Sequence, residues 1–335
     1  MTQFSIPVIE YQSPRPGHAL NPPPPQFVVN DRQLIVAMVR SVLTVNSGRA
    51  SRHYMAAIVK PTMEFLLDWA AAPDLRVSDY FLHVLRDFSA TTRIGELAQG
   101  VTYAYWKWQR GYSWITDFGP WAAGLNPPYT GKKSPDFVML NMATNDLAVM
   151  ESKGTSSWNH KQAMGLALRQ CRDAVKHKAF SRGYGSVLTL DTKNHFGKGT
   201  LHIRDPERVE ELSPELAHYI FRRSYATWFD LVGDEEMAEW CRQEIGLVRP
   251  ISRQRVAEVV GGTSSPLSAL TAVALGFDPE RTRFQIDPVI VEAIADFDIF
   301  KRMNQQLRRR VSDASSSNDR LHTIRFPDGT LITED

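Results

Sequence analysis

The chain has 335 residues, enough for one large domain or two smaller ones with a sizeable core. A composition 43% hydrophobic and 23% charged excludes wholesale disorder, and a formal net charge of +2 gives no global sign of a nucleic-acid binder, so any basic surface must be local. No run approaches the ~20 apolar residues of a membrane span, the N-terminus lacks a basic-then-apolar leader, and Cys171 and Cys241 have no metal-ligand spacing, which predicts a cytoplasmic protein with reduced thiols and no membrane partner.

Residues 1–29 carry Pro7, Pro14, Pro16 and the run Pro22 to Pro25, which removes backbone donors and predicts an extended, polyproline-like arm. Asn30 is a plausible cap for a helix over Asp31 to Asn46, and Arg49 to Ala71 reads as a helix interrupted at Pro61. A further helix, Thr92 to Trp108, has Ile94, Leu97, Val101, Tyr105 and Trp108 on one stripe and leads into a strand, Tyr112 to Phe118. Gly119 to Lys133, with three prolines and three glycines, reads as a loop.

Two short apolar runs follow, Ser134 to Leu140 and Asp146 to Gly154, separated by a turn-forming connection, so they read as a β-hairpin. With the turn centred on Ala143-Thr144, Asp136 falls opposite Glu151, with Cβ atoms roughly 4.5–5.5 Å apart. Strand alternation puts Lys153 on the same face as Glu151. A turn centred one residue later makes Asp136 face Lys153 instead, and an odd-length loop breaks the cluster. Two carboxylates and an ammonium on buried strands need something between them, and acid oxygens with waters suit Mg²⁺ or Mn²⁺. The plainer alternative is an amphipathic hairpin with a solvated Glu-Lys end.

Pro135-Asp136 followed by Glu151-Ser152-Lys153 resembles the signature of the PD-(D/E)xK nuclease superfamily. The resemblance implies a restriction-endonuclease-like α/β core, a mixed sheet flanked by helices, in which Asp136 and Glu151 bind metal and Lys153 assists hydrolysis of a phosphodiester. It also implies DNA as the partner, endonucleolytic rather than exonucleolytic cutting, and a setting such as restriction or multi-protein phage defence. Some members add an acid from the preceding helix, for which Glu96 is the candidate, though it lies well off the apolar stripe, where an exposed glutamate is the simpler reading.

After a polar turn, Trp158 to Phe180 reads as a helix with the stripe Met164, Ala167, Leu168, Cys171 and Val175. Lys161, Arg169, Arg172 and Lys176 cluster roughly 110° away on the helical wheel. From Thr155 to Asp205 there are nine Lys or Arg against three Asp, so positive charge concentrates here. Such a face suits sequence-independent phosphate contacts, and Lys132 and Lys133 could add to it; solvated charge is the alternative for both groups. Some superfamily members have a tyrosine four residues after a glutamine on this helix; here Gln170 is followed by Ala174, which disfavours the recombination-type exonucleases. Ser186 to Leu190 and Thr200 to Ile203 read as strands, giving the superfamily order of helix, three strands, helix, strand. His195 and His202 lack a partner at ligand spacing and read as solvated or satisfied side chains rather than zinc ligands.

The remainder is helical: Pro214 to Leu231, Asp234 to Gly246, and Asp287 to Val311, with Gly261 to Pro266 breaking two less regular patterns between them. Ser312 to Asn318 is low in complexity, and Pro327-Asp328-Gly329 sits between alternating residues as a hairpin signal. The predicted organisation is an arm (1–29), a helical N-terminal region (30–90), a nuclease-like core (91–205), a helical C-terminal region (206–311) and a link with a β-hairpin tail (312–335). The expected function is metal-dependent nuclease. The alternative is a catalytically inactive nuclease-like scaffold that binds nucleic acid or a protein partner, with the C-terminal region as the docking or homodimer surface.

Overall fold

The computed structural model describes residues 2–11, 26–42, 57, 59–78, 81, 87–123, 129, 133–141, 146–156, 160–175, 182–190, 197–204, 214–243, 251–261, 265–266, 269–303, 323–326, 328 and 330–334. The two described ends of the segment expected as an arm are sheet strands. Strand β1 (Gln3–Tyr11) alternates strictly, burying Phe4, Ile6 and Val8, and pairs antiparallel with β2 (Gln26–Asn30). Pro7 is tolerated because it stands where the β1–β2 ladder ends, opposite Gln26, and the ladder on the other side begins at Val8. Pro14, Pro16 and Pro22 to Pro25 lie outside the described residues.

Asn30 caps α1 (Asp31–Val42) as expected: its Oδ1 accepts from the Gln33 N–H at 2.8 Å while Gln33 Oε1 accepts from the Asn30 N–H at 3.1 Å. That reciprocal pair satisfies two donors that a helix start otherwise leaves orphaned. Pro61 stands in the first turn of α2 (Lys60–Leu66), where its missing N–H costs nothing; most of the stretch from Arg49 to Val59 lies outside the described residues. Helix α3 (Asp87–Ala104) starts earlier than its apolar stripe suggested and ends in a π-turn at Tyr105–Gln109. After β3 (Trp114–Asp117), the stretch expected as a loop first forms a short helix, α4 (Phe118–Ala123), which buries Phe118 and Trp121.

Strands β4 (Phe137–Asn141) and β5 (Asp146–Thr155) make the anticipated hairpin, and β5 crosses through α5 (His160–Val175) to the parallel strand β6 (Arg182–Thr189). β7 (Thr200–Arg204) closes against β6 and runs parallel to β1. The result is a mixed seven-stranded sheet in the order β2-β1-β7-β6-β5-β4-β3. Helix α3 covers one face and α5 the other, both at close range. A Cβ on Gly154 would meet the Ile94 carbonyl oxygen of α3 at 2.5 Å, and one on Gly183 would meet Cys171 Cβ of α5 at 2.8 Å.

Helix α6 (Pro214–Val232) packs Phe221 on Trp114 of β3, with ring centroids 5.1 Å apart. Then come α7 (Glu235–Arg242), α8 (Arg253–Gly261), β8 (Ser265–Pro266), α9 (Ala269–Ala274), β9 (Thr282–Ile286) and α10 (Pro288–Ala295). The long final helix expected over Asp287 to Val311 is broken at Asp296, whose extended backbone and side-chain acceptance from the Asp298 and Ile299 N–H groups restart the turn. Arg308 to Arg310 and Ser312 to Asn318 lie outside the described residues. The tail hairpin is present as β10 (Thr323–Arg325) and β11 (Thr330–Glu334), and it joins β9 and β8 in a second, four-stranded sheet.

That hairpin docks on its own chain. Asp328 is fully buried, and its Oδ2 accepts from Lys107 Nζ at 2.5 Å, Trp228 Nε1 at 2.9 Å and Arg40 Nη1 at 3.3 Å, while Tyr225 donates its hydroxyl to the Asp328 carbonyl. Lys107 and Arg40 hold the carboxyl down to about 2 against the opposing pull of burial. One apolar cluster runs from Phe4 to Ile332 through both sheets. Among the described residues no helix is long and apolar enough to cross a membrane.

Candidate functional site

Pairing of Phe137 with Met150 and of Asn141 with Asp146 sets the β4–β5 register, and continued by one residue it places Asp136 opposite Glu151. This is the register of a turn centred on Ala143-Thr144; the turn itself lies outside the described residues. Asp136 sits at the bend before β4, where its Oδ2 accepts from the Ser152 N–H at 2.8 Å. Lys153 Nζ donates to Glu151 Oε1. The sheet therefore gathers Asp136, Glu151 and Lys153 at one end of a two-strand unit.

Glu151 is fully buried, whereas Lys153 keeps a third of its side chain in solvent. Glu151 Oε2 is buried with no hydrogen-bond partner. Burial first, and Asp136 second, push the Glu151 carboxyl up to about 7 against the pull of Lys153. The Asp136 carboxyl is also raised by burial, opposed by the Ser152 N–H, Lys153 and a hydrogen bond from Gln99. Two acids that resist ionisation side by side, one with an orphaned buried oxygen, are only partly compensated by the Lys153 ammonium. Among the described residues no three His, Cys, Asp or Glu side chains form a metal-binding group. Two carboxylates nevertheless fit Mg²⁺ or Mn²⁺, which commonly keep waters and substrate oxygens in their remaining positions.

Alternation along β5 sends Ser152 to the opposite face, where its Oγ donates to Thr102 Oγ1 of α3 at 3.2 Å, and Thr102 meets Ser186 Oγ of β6 at 2.8 Å. This buried hydroxyl chain ties α3 to the strand carrying Glu151 and Lys153. Glu96 Oε2 accepts from Arg93 Nη1 of the same helix at 2.6 Å, and Gln99, nearly one turn further on, is an α3 residue hydrogen-bonded to Asp136. The amide at Gln99 carried no sequence signal, because nothing in the helical pattern shows which turn passes the end of β4. Gln170 of α5 donates to the Ser134 carbonyl at 3.1 Å, bracing the approach to Asp136.

Helix α5 buries Met164, Ala167, Cys171 and Ala174 and exposes Lys161, Arg169 and Arg172. None of these three is in an ion pair with another described residue. Lys133 is exposed; Lys132 and Lys176 lie outside the described residues. His202 is a satisfied core histidine, bonded to Tyr11 and Thr189; His195 lies outside the described residues. Both cysteines are buried free thiols.

The architecture is thus an α/β mixed seven-stranded sheet between helices, with the buried Glu151, the half-buried Asp136 and a lysine at the β4–β5 end. No family model, curated protein or solved structure matches the chain.

Proposed function

We propose that this chain is a metal-dependent nuclease of the PD-(D/E)xK kind, with β3 to β6, α3 and α5 as a restriction-endonuclease-like core, DNA as substrate and endonucleolytic cutting. The observation that carries the reading is the buried Glu151 carboxylate, with its unpartnered Oε2, beside Asp136 and Lys153 in the register described above. A bound Mg²⁺ or Mn²⁺ would supply Lewis-acid polarisation of a phosphate oxygen and an acidified water. Asp136 and Glu151 are the residues that would hold it. The Ser152 N–H and Gln99 fix the Asp136 carboxylate in place, so little reorganisation is needed on binding. Lys153 Nζ, tethered to Glu151 and partly solvent-facing, is placed to exchange a proton with the attacking water or to offset charge on the phosphate. Lys161, Arg169 and Arg172 offer cations to neighbouring phosphates.

Supercoiled and linear DNA should be cut when Mg²⁺ or Mn²⁺ is added. Asp136→Asn and Lys153→Ala should each abolish cutting while circular dichroism shows the fold intact. Wild-type-level cutting by both variants would sink the assignment. Salt-sensitive DNA binding without product at any metal concentration would instead support the inactive-scaffold reading. Of the two features that motivated that reading, the tail hairpin is locked internally by Asp328, and the described start of the proline-bearing segment, β1, is a sheet strand.

A further inference from the structure

Away from the acid pair, a cavity of about 410 Å³ opens between the start of α1, helix α2, the turn at Trp69–Ala71 and the turn after α9. That volume lies in the range of small-molecule sites. Tyr11, at the end of β1, shares a cross-strand row with Glu151 through Arg204 and Gly185, whereas Thr2, which lines the cavity, precedes the start of that strand. At ~3.3 Å per residue, the length of β1 sets the cavity roughly 25 Å or more from the proposed nuclease centre.

Its floor is apolar. Ile35, Met63 and Leu275 are buried, and Trp69 packs its indole against Phe4 with ring centroids 5.4 Å apart. The rest of the lining is mostly charged, with Asp31 and Glu64 balancing Arg32 and Lys60. The α1 pair is engaged: the Asp31 carboxylate accepts from the Thr2 N–H at 3.1 Å and the Arg32 N–H at 2.9 Å, and the Arg32 guanidinium lies 3.9 Å from the centroid of the Phe277 ring. The α2 pair is not. Lys60 and Glu64 stand four residues apart on one helix, the spacing at which opposite charges meet, yet among the described residues neither is in an ion pair. Lys60 Nζ reaches only the Val273 carbonyl, at 3.4 Å, which is long for a hydrogen bond. Glu64 is exposed.

We propose that this cavity binds a small amphipathic α-amino acid, its carboxylate on Lys60, its ammonium on Glu64 and its apolar side chain over Met63, Leu275 and Trp69. An apolar floor with a cation and an anion beside it matches a ligand that carries both charges at one end. A dianionic phosphate is a poorer match, because Asp31 and Glu64 leave the charged lining with no net formal charge. A wholly apolar ligand would leave both α2 charges unmet. The occupant would bridge α1, α2 and the turn after α9, three stretches that otherwise meet across an open space. The site goes beyond the nuclease reading and does not depend on it.

Calorimetric titration of the whole chain with L-phenylalanine and with L-leucine should show saturable binding with a Kd below about 1 mM for at least one of them, and the same ligand should raise the melting temperature as its concentration rises. Hydrocinnamate, which lacks the ammonium, and phenethylamine, which lacks the carboxylate, should each bind about tenfold or more weakly than L-phenylalanine. Lys60→Ala and Glu64→Gln leave the buried floor intact, and each should weaken amino-acid binding by a similar factor. No saturable binding of either amino acid, or binding that both variants leave unchanged, would overturn the proposal. Hydrocinnamate or phenethylamine binding as tightly as L-phenylalanine would overturn the amino-acid assignment. If a variant fails to fold, the comparison of the three phenyl ligands on the unaltered chain decides.

Discussion

Glu151 answers two opposing demands. Its backbone belongs to a central strand, which buries the side chain, while its carboxyl is kept near neutrality by that burial and by Asp136. A folded-state pKa of about 7, above the unfolded ~4.3, means that the metal-free fold holds a proton the unfolded chain releases. The associated stability is complete below the unfolded value and is lost as pH rises through about 7. On the proposed reading, a divalent ion would reverse this by binding the ionised pair and displacing the proton. Thermal-shift measurements should therefore show Mg²⁺ raising the melting temperature more at about pH 8.5 than at about pH 5, and the difference should vanish in Glu151→Gln. An equal shift at both pH values would place the ion elsewhere.

At the level of elements, the site depends on how closely α3 and α5 approach β5 and β6. Gly154 and Gly183 are the residues that allow it, each standing where a methyl group would strike backbone or a rigid Cβ. Gly154→Ala should push the Ile94 turn of α3 away and strain the Thr102–Ser152 link; Gly183→Ala should lift α5 at Cys171. Each should cost about 1–3 kcal/mol in urea unfolding. Gly165, with no atom near a built Cβ, is the control and should tolerate alanine at no loss. An unchanged midpoint for both sheet variants would mean that the helices ride on the sheet more loosely than the contacts indicate.

Across the whole molecule, the tail hairpin is a structural member. Asp328 brings one carboxylate to two buried cations from α1 and the π-turn after α3, elements hundreds of residues away in sequence. Asp328→Asn leaves the Arg40 guanidinium buried with no compensating charge, beside Lys107, whose ammonium burial already draws down to about 7, and should destabilise the fold by about 3–5 kcal/mol, read as a lowered denaturation midpoint. A change below about 1 kcal/mol would mean that the hairpin is peripheral. The Asp328 carboxyl is depressed to about 2, so its contribution is present above the usual carboxylate range and disappears as pH falls through about 2.

Local pattern alone determined the elements whose information is local. The β4–β5 hairpin followed from strand period, with its register left to the structure, the α1 cap from Asn30, and the tail hairpin from Asp328-Gly329 between alternating residues. The basic stripe on α5 followed from helical period, which is why Lys161, Arg169 and Arg172 emerged on the exposed side. Tertiary structure decided everything that depends on which elements meet. Proline content marked residues 1–29 as an arm, but a strand needs only a free ladder on the correct side of Pro7, and β7 supplies the partner. That Gln99 is the α3 residue hydrogen-bonded to Asp136 was set by which turn of α3 passes the start of β4. The cavity beside Lys60 and Glu64 is lined from several separate stretches, and no spacing within one chain segment encodes that. A strand or helix carries its own period in its residues; the distance between two of them is fixed only when the core closes.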